Sequence, residues 1–211
     1  MPLLAQIDAV TLDLYGTLVR LRDPVPKLVE TLYGRGIERT PTSVTAAFEA
    51  EFAYYGPHSH EGRDEQSVAD LNRRCAEVFL DALGADLDPA EFAPSYVAAL
   101  EFEVVPGAPE SLRALRSRGL ELAAVTNWDW TVHERLSDLG LAPFFSHVVT
   151  SAEVGPRKPD PAPFRRALEL LGVAPERAMH IGDDEADRQG AAAAGMRFAS
   201  APLESALAEL L

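Results

Sequence analysis

The sequence predicts an α/β fold, a doubly wound parallel sheet interrupted by an inserted all-helical domain. Three observations predict it. The run IDAVTLDL (7–14) is short and apolar and ends in a Gly-Thr turn, as a buried parallel strand does. From Gly107 onward, strand-like runs alternate with amphipathic helical ones, the pattern of βαβ units. Between about Leu21 and Phe102 only helical periodicity is found, so this block reads as an insertion after the first strand. The expected division is residues 1–20 and 103–211 as a core and 21–102 as a helical cap.

In order, PVPKLVETLYGRG, TSVTAAFEAEFAYYG, SVADLNRRCAEVFLDALG and DPAEFAPSYVAAL are four amphipathic helices separated by Gly, Pro or Asp. The segment YYGPHSHEGRDE, with Tyr54, Tyr55, His58, His60, Glu61 and Arg63, reads as a Pro/Gly loop that could serve as a specificity element. The chain returns at VVPGAP (Val104 to Pro109). Then come PESLRALRSRG (helix, closed by Gly119), LELAAVTN (strand), TVHERLSDLG (helix) and HVVTS (strand). The series ends with PAPFRRALELLG (helix), AMHIGDD (strand), EADRQGAAAAG (helix) and MRFAS (strand).

A chain of 211 residues suits one ordinary domain or a core carrying a smaller insert, and 47% hydrophobic with 25% charged residues is globular composition. The balance of 19 basic against 33 acidic residues gives −14, which disfavours nucleic acid and anionic membranes as partners through long-range repulsion. A small anionic substrate needs only a local positive centre and stays compatible. Cys75 is the lone cysteine, so no intrachain disulfide forms and the thiol reads as buried apolar filler. The opening MPLLAQIDAV lacks a basic leader and no window approaches a membrane span, so a cytoplasmic location is expected. Oligomeric state is not legible.

In open α/β sheets the site lies beyond the carboxyl ends of the strands. Taking each end in turn collects Asp13 and Thr17, then Thr126 and Asn127, then Lys158, then Gly182, Asp183, Asp184 and Asp187. These come from distant segments yet fall on one sheet edge. Asp13 can attack an electrophile and form a covalent intermediate. Thr126 or Asn127 can hold non-bridging oxygens, and Lys158 supplies a fixed positive charge. Thr17 reads equally as a turn cap or a substrate contact, and Asp184 as an acid favoured at a helix start. Asp13, Asp183 and Asp187 together concentrate like charge, which a hard divalent cation with oxygen ligands relieves; Mg²⁺ fits best. Trp128 and Trp130 flank Asp129 and read equally as packing or as lining of a cleft.

These clusters resemble the four motifs of the haloacid dehalogenase superfamily: Asp13 in DLYGT, Thr126 with Asn127, Lys158 in KPDP, and GDDEAD with Asp183 and Asp187. The resemblance covers nearly the whole chain. It implies a Rossmann-like core, an aspartyl-enzyme intermediate, usually Mg²⁺, and mostly phosphate-ester substrates. It also implies Asp13, the Tyr15 backbone carbonyl, Asp183 and Asp187 as the metal set.

Tyr15 departs from the phosphatase pattern, in which a second Asp two places after the nucleophile serves as acid and base. A phenol with pKa near 10 is a poor base at neutral pH, and losing a positioned acid/base costs ~10²–10⁴-fold. The L-2-haloacid dehalogenases of the family carry a similar D-x-Y-G-T, and halide leaves without a proton. They work without metal, however, carry Ser/Asn-type residues where this chain has GDDEAD, and hold halide with a cap arginine, for which Arg35 and Arg39 are on hand. The expected function is therefore Mg²⁺-dependent hydrolysis of a small phosphomonoester through an aspartyl-phosphate on Asp13. The alternatives are metal-independent dehalogenation of a 2-haloacid and a catalytically weak ligand-binding role.

Overall fold

The structure is a computed structural model and describes residues 7–210, with side chains as far as residue 207. It divides into two compact units, Leu21–Phe102 and the remainder. In the sheet-bearing unit, strands β1 (Ala9–Leu12), β4 (Glu121–Thr126), β5 (His147–Thr150), β6 (Ala178–Gly182) and β7 (Arg197–Ser200) form one sheet in the order β5-β4-β1-β6-β7. Every pairing is parallel, with Leu12 opposite Ala124 on one side and Ile181 on the other. The predicted α/β fold with its parallel sheet is present.

Chain order explains why it is doubly wound. From β1 the chain steps outward to β4 and β5, then returns past β1 to β6 and β7. Right-handed crossovers in opposite directions place helices on opposite faces. The reversal falls between β1 and β6, and a crevice opens there at the strands' carboxyl ends. Burial on both faces makes β1 (AVTL) and β6 (AMHIG) wholly buried strands without polar alternation. Phe164, Ala167, Leu168, Val125, Val149 and Ala191 pack together in this core, and each large side chain removed from water contributes about 1.5–3 kcal/mol.

The covering helices are α5 (Ala108–Ser117), α6 (Val132–Asp138), α7 (Ser151–Val154), α8 (Ala162–Leu171), α9 (Glu185–Ala193) and α10 (Leu203–Leu210). Gly190 on α9 sits so close to Phe164 that an added Cβ would lie 2.2 Å from its ring. That close approach packs α9 against α8.

The helical unit holds α1 (Val25–Tyr33), α2 (Pro41–His58), α3 (Glu65–Leu83) and α4 (Pro89–Ala99) around Leu28, Leu32, Phe79, Leu80, Phe92 and Tyr96. Asp64 and Ser67 form a reciprocal capping box at the start of α3, and Gly84 closes it at φ +59°. Arg35 donates to the Glu91 carbonyl and the Ser95 hydroxyl, while Arg39 caps the Leu83 and Gly84 carbonyls. Both expected halide-binding candidates thus make structural contacts inside this unit.

Four expectations need correction. The segment from Tyr54 is no loop: α2 continues through Pro57 to His58, and a 3₁₀ turn succeeds it over Ser59–Glu61. Pro57 has no N–H for the ladder, so the helix ends one residue later, and the His58 ring takes up the Tyr54 carbonyl at 2.7 Å. Arg74 on α3 then fastens both Tyr54 Oη (3.0 Å) and Glu61 (2.6 Å). Second, the chain leaves and re-enters the sheet along β2 (Val19–Leu21) and β3 (Phe102–Val104), a separate two-stranded ribbon too short to leave a periodic trace. Third, α7 and α10 lie outside the predicted helices; α7 is a single turn fixed by a Thr150–Glu153 capping box. Fourth, the predicted strands 7–14, 120–127 and 178–184 are longer than β1, β4 and β6, because their polar ends leave the ladder to enter the site.

Cys75 is buried as expected, but beside a carboxyl. Glu51, 4% exposed, accepts from Tyr96 Oη at 2.7 Å, with the Cys75 thiol as second donor. Burial, opposed by these hydrogen bonds, raises the Glu51 pKa. An acid whose folded pKa is raised contributes stability that is full below its unfolded value and is lost as pH rises through the folded value. Glu51→Gln is therefore expected to melt above the parent at pH 8 and no higher at pH 4; thermal melts at the two values check this.

Candidate active site

The polar residues at the strand ends gather where the winding reverses. Asp13 comes directly after β1, and its N–H donates to the Ile181 carbonyl at 2.9 Å, prolonging the β1–β6 ladder by one rung. Asp183 comes directly after β6. Asp187 lies in the first turn of α9, where its N–H donates to Asp184 Oδ1 at 2.8 Å; Asp184 is the N-cap and closes a capping box. Lys158 lies in the loop between α7 and α8. Its backbone is pinned by Asn127: Lys158 N–H donates to Oδ1 (2.8 Å) and Asn127 Nδ2 to the Lys158 carbonyl (3.1 Å).

Lys158 is the centre of the cluster. Only 4% exposed, its ammonium donates to Asp13 Oδ1 at 2.5 Å, Asp187 Oδ1 at 2.6 Å and the Val125 carbonyl at 3.0 Å, which uses all three protons. Burial acts to lower the lysine pKa, but the charges of Asp13 and Asp187 outweigh it and raise it, so the ammonium stays charged. Burial pushes Asp13 above the ordinary carboxylate range, reinforced by Asp187 and opposed by Lys158. Asp187 goes the other way: burial would raise it, but the His180 hydrogen bond and the Lys158 charge prevail and hold it down. Two neighbouring carboxylates are thus driven apart, one kept ionised and the other poised to take a proton in the absence of further positive charge.

Asp183 is exposed, and burial together with Asp187 raises its pKa. The buried Thr17 hydroxyl donates to its Oδ1 at 3.3 Å. Gly16, at φ +89°, lets the turn pass beneath Asp183, since a Cβ there would fall 2.1 Å from Oδ2. Tyr15 is 37% exposed, and its ring meets Trp128 edge-on at 6.5 Å. Burial, with the Asp183 charge, raises the phenol pKa, so the hydroxyl is a hydrogen-bond donor and not a base. Thr126 is buried at the end of β4. Asn127, expected beside it as an oxygen holder, has both ends of its amide on the Lys158 backbone. Trp128 is buried and Trp130 is 47% exposed.

Two residues of the cluster, His180 and Thr11, escaped the sequence reading. His180 of β6 is fully buried, with Nε2 3.0 Å from Asp187 Oδ1 and Nδ1 2.8 Å from the Thr11 hydroxyl. The visible signal was a single histidine in the otherwise apolar run AMHI, placed opposite Thr11 by register.

Asp13, Asp183 and Asp187 each offer a carboxylate oxygen within 4.8 Å of the other two. An all-oxygen, multiply charged set of this kind suits a hard divalent cation and not a soft one. The arrangement combines a strand-end carboxylate, a buried ammonium and a carboxylate cluster on one edge of the sheet.

Comparison with known proteins gives the class. Residues 7–195 match the model of the haloacid dehalogenase-like hydrolases, and the chain belongs to that family. It is 32% identical to the mouse haloacid dehalogenase-like hydrolase domain-containing protein 3, over 96% of this chain and 86% of that one. It is 37% identical to the glyceraldehyde 3-phosphate phosphatase of Methanopyrus kandleri, covering 90% and 82%. Among solved structures, a phosphatase of the family from Thermococcus onnurineus superposes with a TM-score of 0.61 at 26% identity, over 91% and 85% of the two chains. The protein is thus a hydrolase of this superfamily with phosphatases among its relatives. Among the described residues no helix is long and apolar enough to cross a membrane.

Asn127→Ala removes both contacts to the Lys158 backbone. At about 1 kcal/mol net per hydrogen bond, an expected loss of about 2 kcal/mol is readable as a lower denaturant midpoint with unchanged slope.

Proposed function

We propose that the protein is a Mg²⁺-dependent hydrolase of small phosphomonoesters that works through an aspartyl-phosphate on Asp13. The observation that carries the reading is Lys158 bridging Asp13 and Asp187 inside the cluster that Asp183 completes. Asp13, Asp183, Asp187 and the Tyr15 carbonyl would hold the cation, and when bound it supplies the charge that offsets substrate and nucleophile.

Asp13 attacks phosphorus through a carboxylate oxygen while Lys158 stays on Oδ1. The new P–O bond forms as the bond to the substrate's leaving oxygen breaks, and that oxygen takes a proton from solvent. Thr126 and the N–H groups of the loop beyond it are proposed to hold the non-bridging oxygens, with Thr17 and Asn127 keeping Asp183 and Lys158 in place. Water then adds to phosphorus, the bond to Asp13 breaks, and phosphate leaves with the carboxylate restored. Tyr15 can donate a hydrogen bond to the leaving oxygen but not relay its proton. The inserted unit Leu21–Phe102 is read as the module that selects the substrate, which its position in the chain between the Asp13 strand and the rest of the sheet supports. A small anionic metabolite in the cytoplasm is the substrate class proposed.

Tyr15 favours one second reading, dehalogenation of a 2-haloacid, in which Asp13 attacks the halogen-bearing carbon and halide leaves unprotonated. Against it, Arg35 and Arg39 are both tied within the helical unit.

Excess chelator is expected to abolish hydrolysis of p-nitrophenyl phosphate, with Mg²⁺ restoring it. The aryl ester, needing little protonation, should turn over at least ~10-fold faster than an alkyl phosphate, given what a positioned acid contributes. Halide release from 2-chloropropionate in chelator, without phosphatase activity in Mg²⁺, would replace this reading with the second.

A further inference from the structure

Asp187 carries two donors on one oxygen, and only one of them is the lysine already discussed. His180 Nε2 lies 3.0 Å from Asp187 Oδ1, the same atom that Lys158 contacts at 2.6 Å. A carboxylate oxygen can only accept, so Nε2 carries the ring proton, and Nδ1 is then an acceptor. Thr11 meets that requirement. Its hydroxyl, opposite His180 on β1, lies 2.8 Å from Nδ1 and has a proton to give. The chain runs Thr11 to His180 to Asp187 in a single direction, and one tautomer satisfies all of it.

The ring is also held mechanically. Phe164 meets it edge-on at 4.8 Å, and Phe198 lies across it at 6.4 Å. Gly190 lies three residues after Asp187, on the same face of α9, and allows that face to approach Phe164. Asp187 Oδ2, by contrast, takes the longer 3.5 Å contact from the Asp184 N–H in the capping box and lies close over Gly182.

We infer that His180, with its Nδ1 satisfied by the Thr11 hydroxyl, is the positioning residue that turns the Asp187 carboxylate so that Oδ1 is spent on protein donors and Oδ2 is presented as the cation ligand. Lys158 alone cannot do this, because its ammonium is a point charge that either oxygen could satisfy, whereas the clamped imidazole donates along one fixed direction. His180 touches neither substrate nor cation; it acts through Asp187. The inference rests on the proposed cation site and adds to it the partner that orients one ligand.

The test is calorimetric Mg²⁺ binding to the full chain without substrate, in the parent, His180→Leu, His180→Gln and Thr11→Val. Losing such an outer partner typically costs ~10–100-fold in metal affinity. His180→Leu is therefore expected to bind Mg²⁺ about tenfold or more weakly. His180→Gln, which can again place an N–H donor on Oδ1, should stay within about threefold of the parent, and Thr11→Val should fall between. Parental affinity in His180→Leu overturns the inference alone, as does equal weakening in the Leu and Gln variants, which would mark a packing role. Should His180→Leu fail to fold, the other two decide: parental affinity in Thr11→Val, or full loss in His180→Gln, overturns it. A parent that binds no Mg²⁺ in the millimolar range would instead remove the cation site itself, and this inference with it.

Discussion

Everything in the site depends on one buried ammonium. Lys158 lies between two carboxylates that, without it, would face each other in a region from which water is nearly excluded. Breaking such a buried pair typically costs about 3–5 kcal/mol, since the surviving charges lose their partner. Three separate segments must therefore converge on Lys158: the end of β1 with Asp13, the start of α9 with Asp187, and the end of β4 through the Val125 carbonyl. The parallel sheet brings those segments to one edge, and Asn127 fixes the loop that delivers the lysine. Fold and chemistry meet at this residue.

The same arrangement separates the two carboxylates. Asp187, with His180 and Lys158 both on Oδ1, is held ionised, while for Asp13 burial outweighs Lys158 and the Leu14 N–H and raises its pKa. Asp183 stands exposed at the rim, tied by Thr17. The cluster is thus graded from a carboxylate held ionised in the interior to one raised by burial at the end of β1.

Much of this was legible in the sequence, for physical reasons. Strands buried on both faces are continuous apolar runs, so β1, β4, β5 and β6 stood out, and any polar residue just past each had to lie on the carboxyl edge. That logic located Asp13, Thr126, Lys158 and Asp183 from four distant segments. It could not see contacts made between segments. His180 carries no signal of its role in the sequence, because its partners, Thr11 and Asp187, are supplied by another strand and by a helix. Asn127 looked like a substrate contact because the loop it holds lies 31 residues away. The β2–β3 ribbon was invisible, since three-residue strands carry no period. The stretch from Tyr54 to Glu61 misled because Pro and Gly signal a break. Instead α2 absorbs Pro57 in its last turn, and Arg74 fastens the 3₁₀ turn through Glu61.

In the proposed function Asp13 is the residue that carries the covalent bond. The most direct measurement is rapid quenching during turnover of a phosphomonoester with Mg²⁺, borohydride reduction of any acyl phosphate, and peptide mass spectrometry. Reduction is expected at position 13, and none in Asp13→Asn. Turnover with position 13 unmodified throughout, or with the label on another carboxylate, would contradict it.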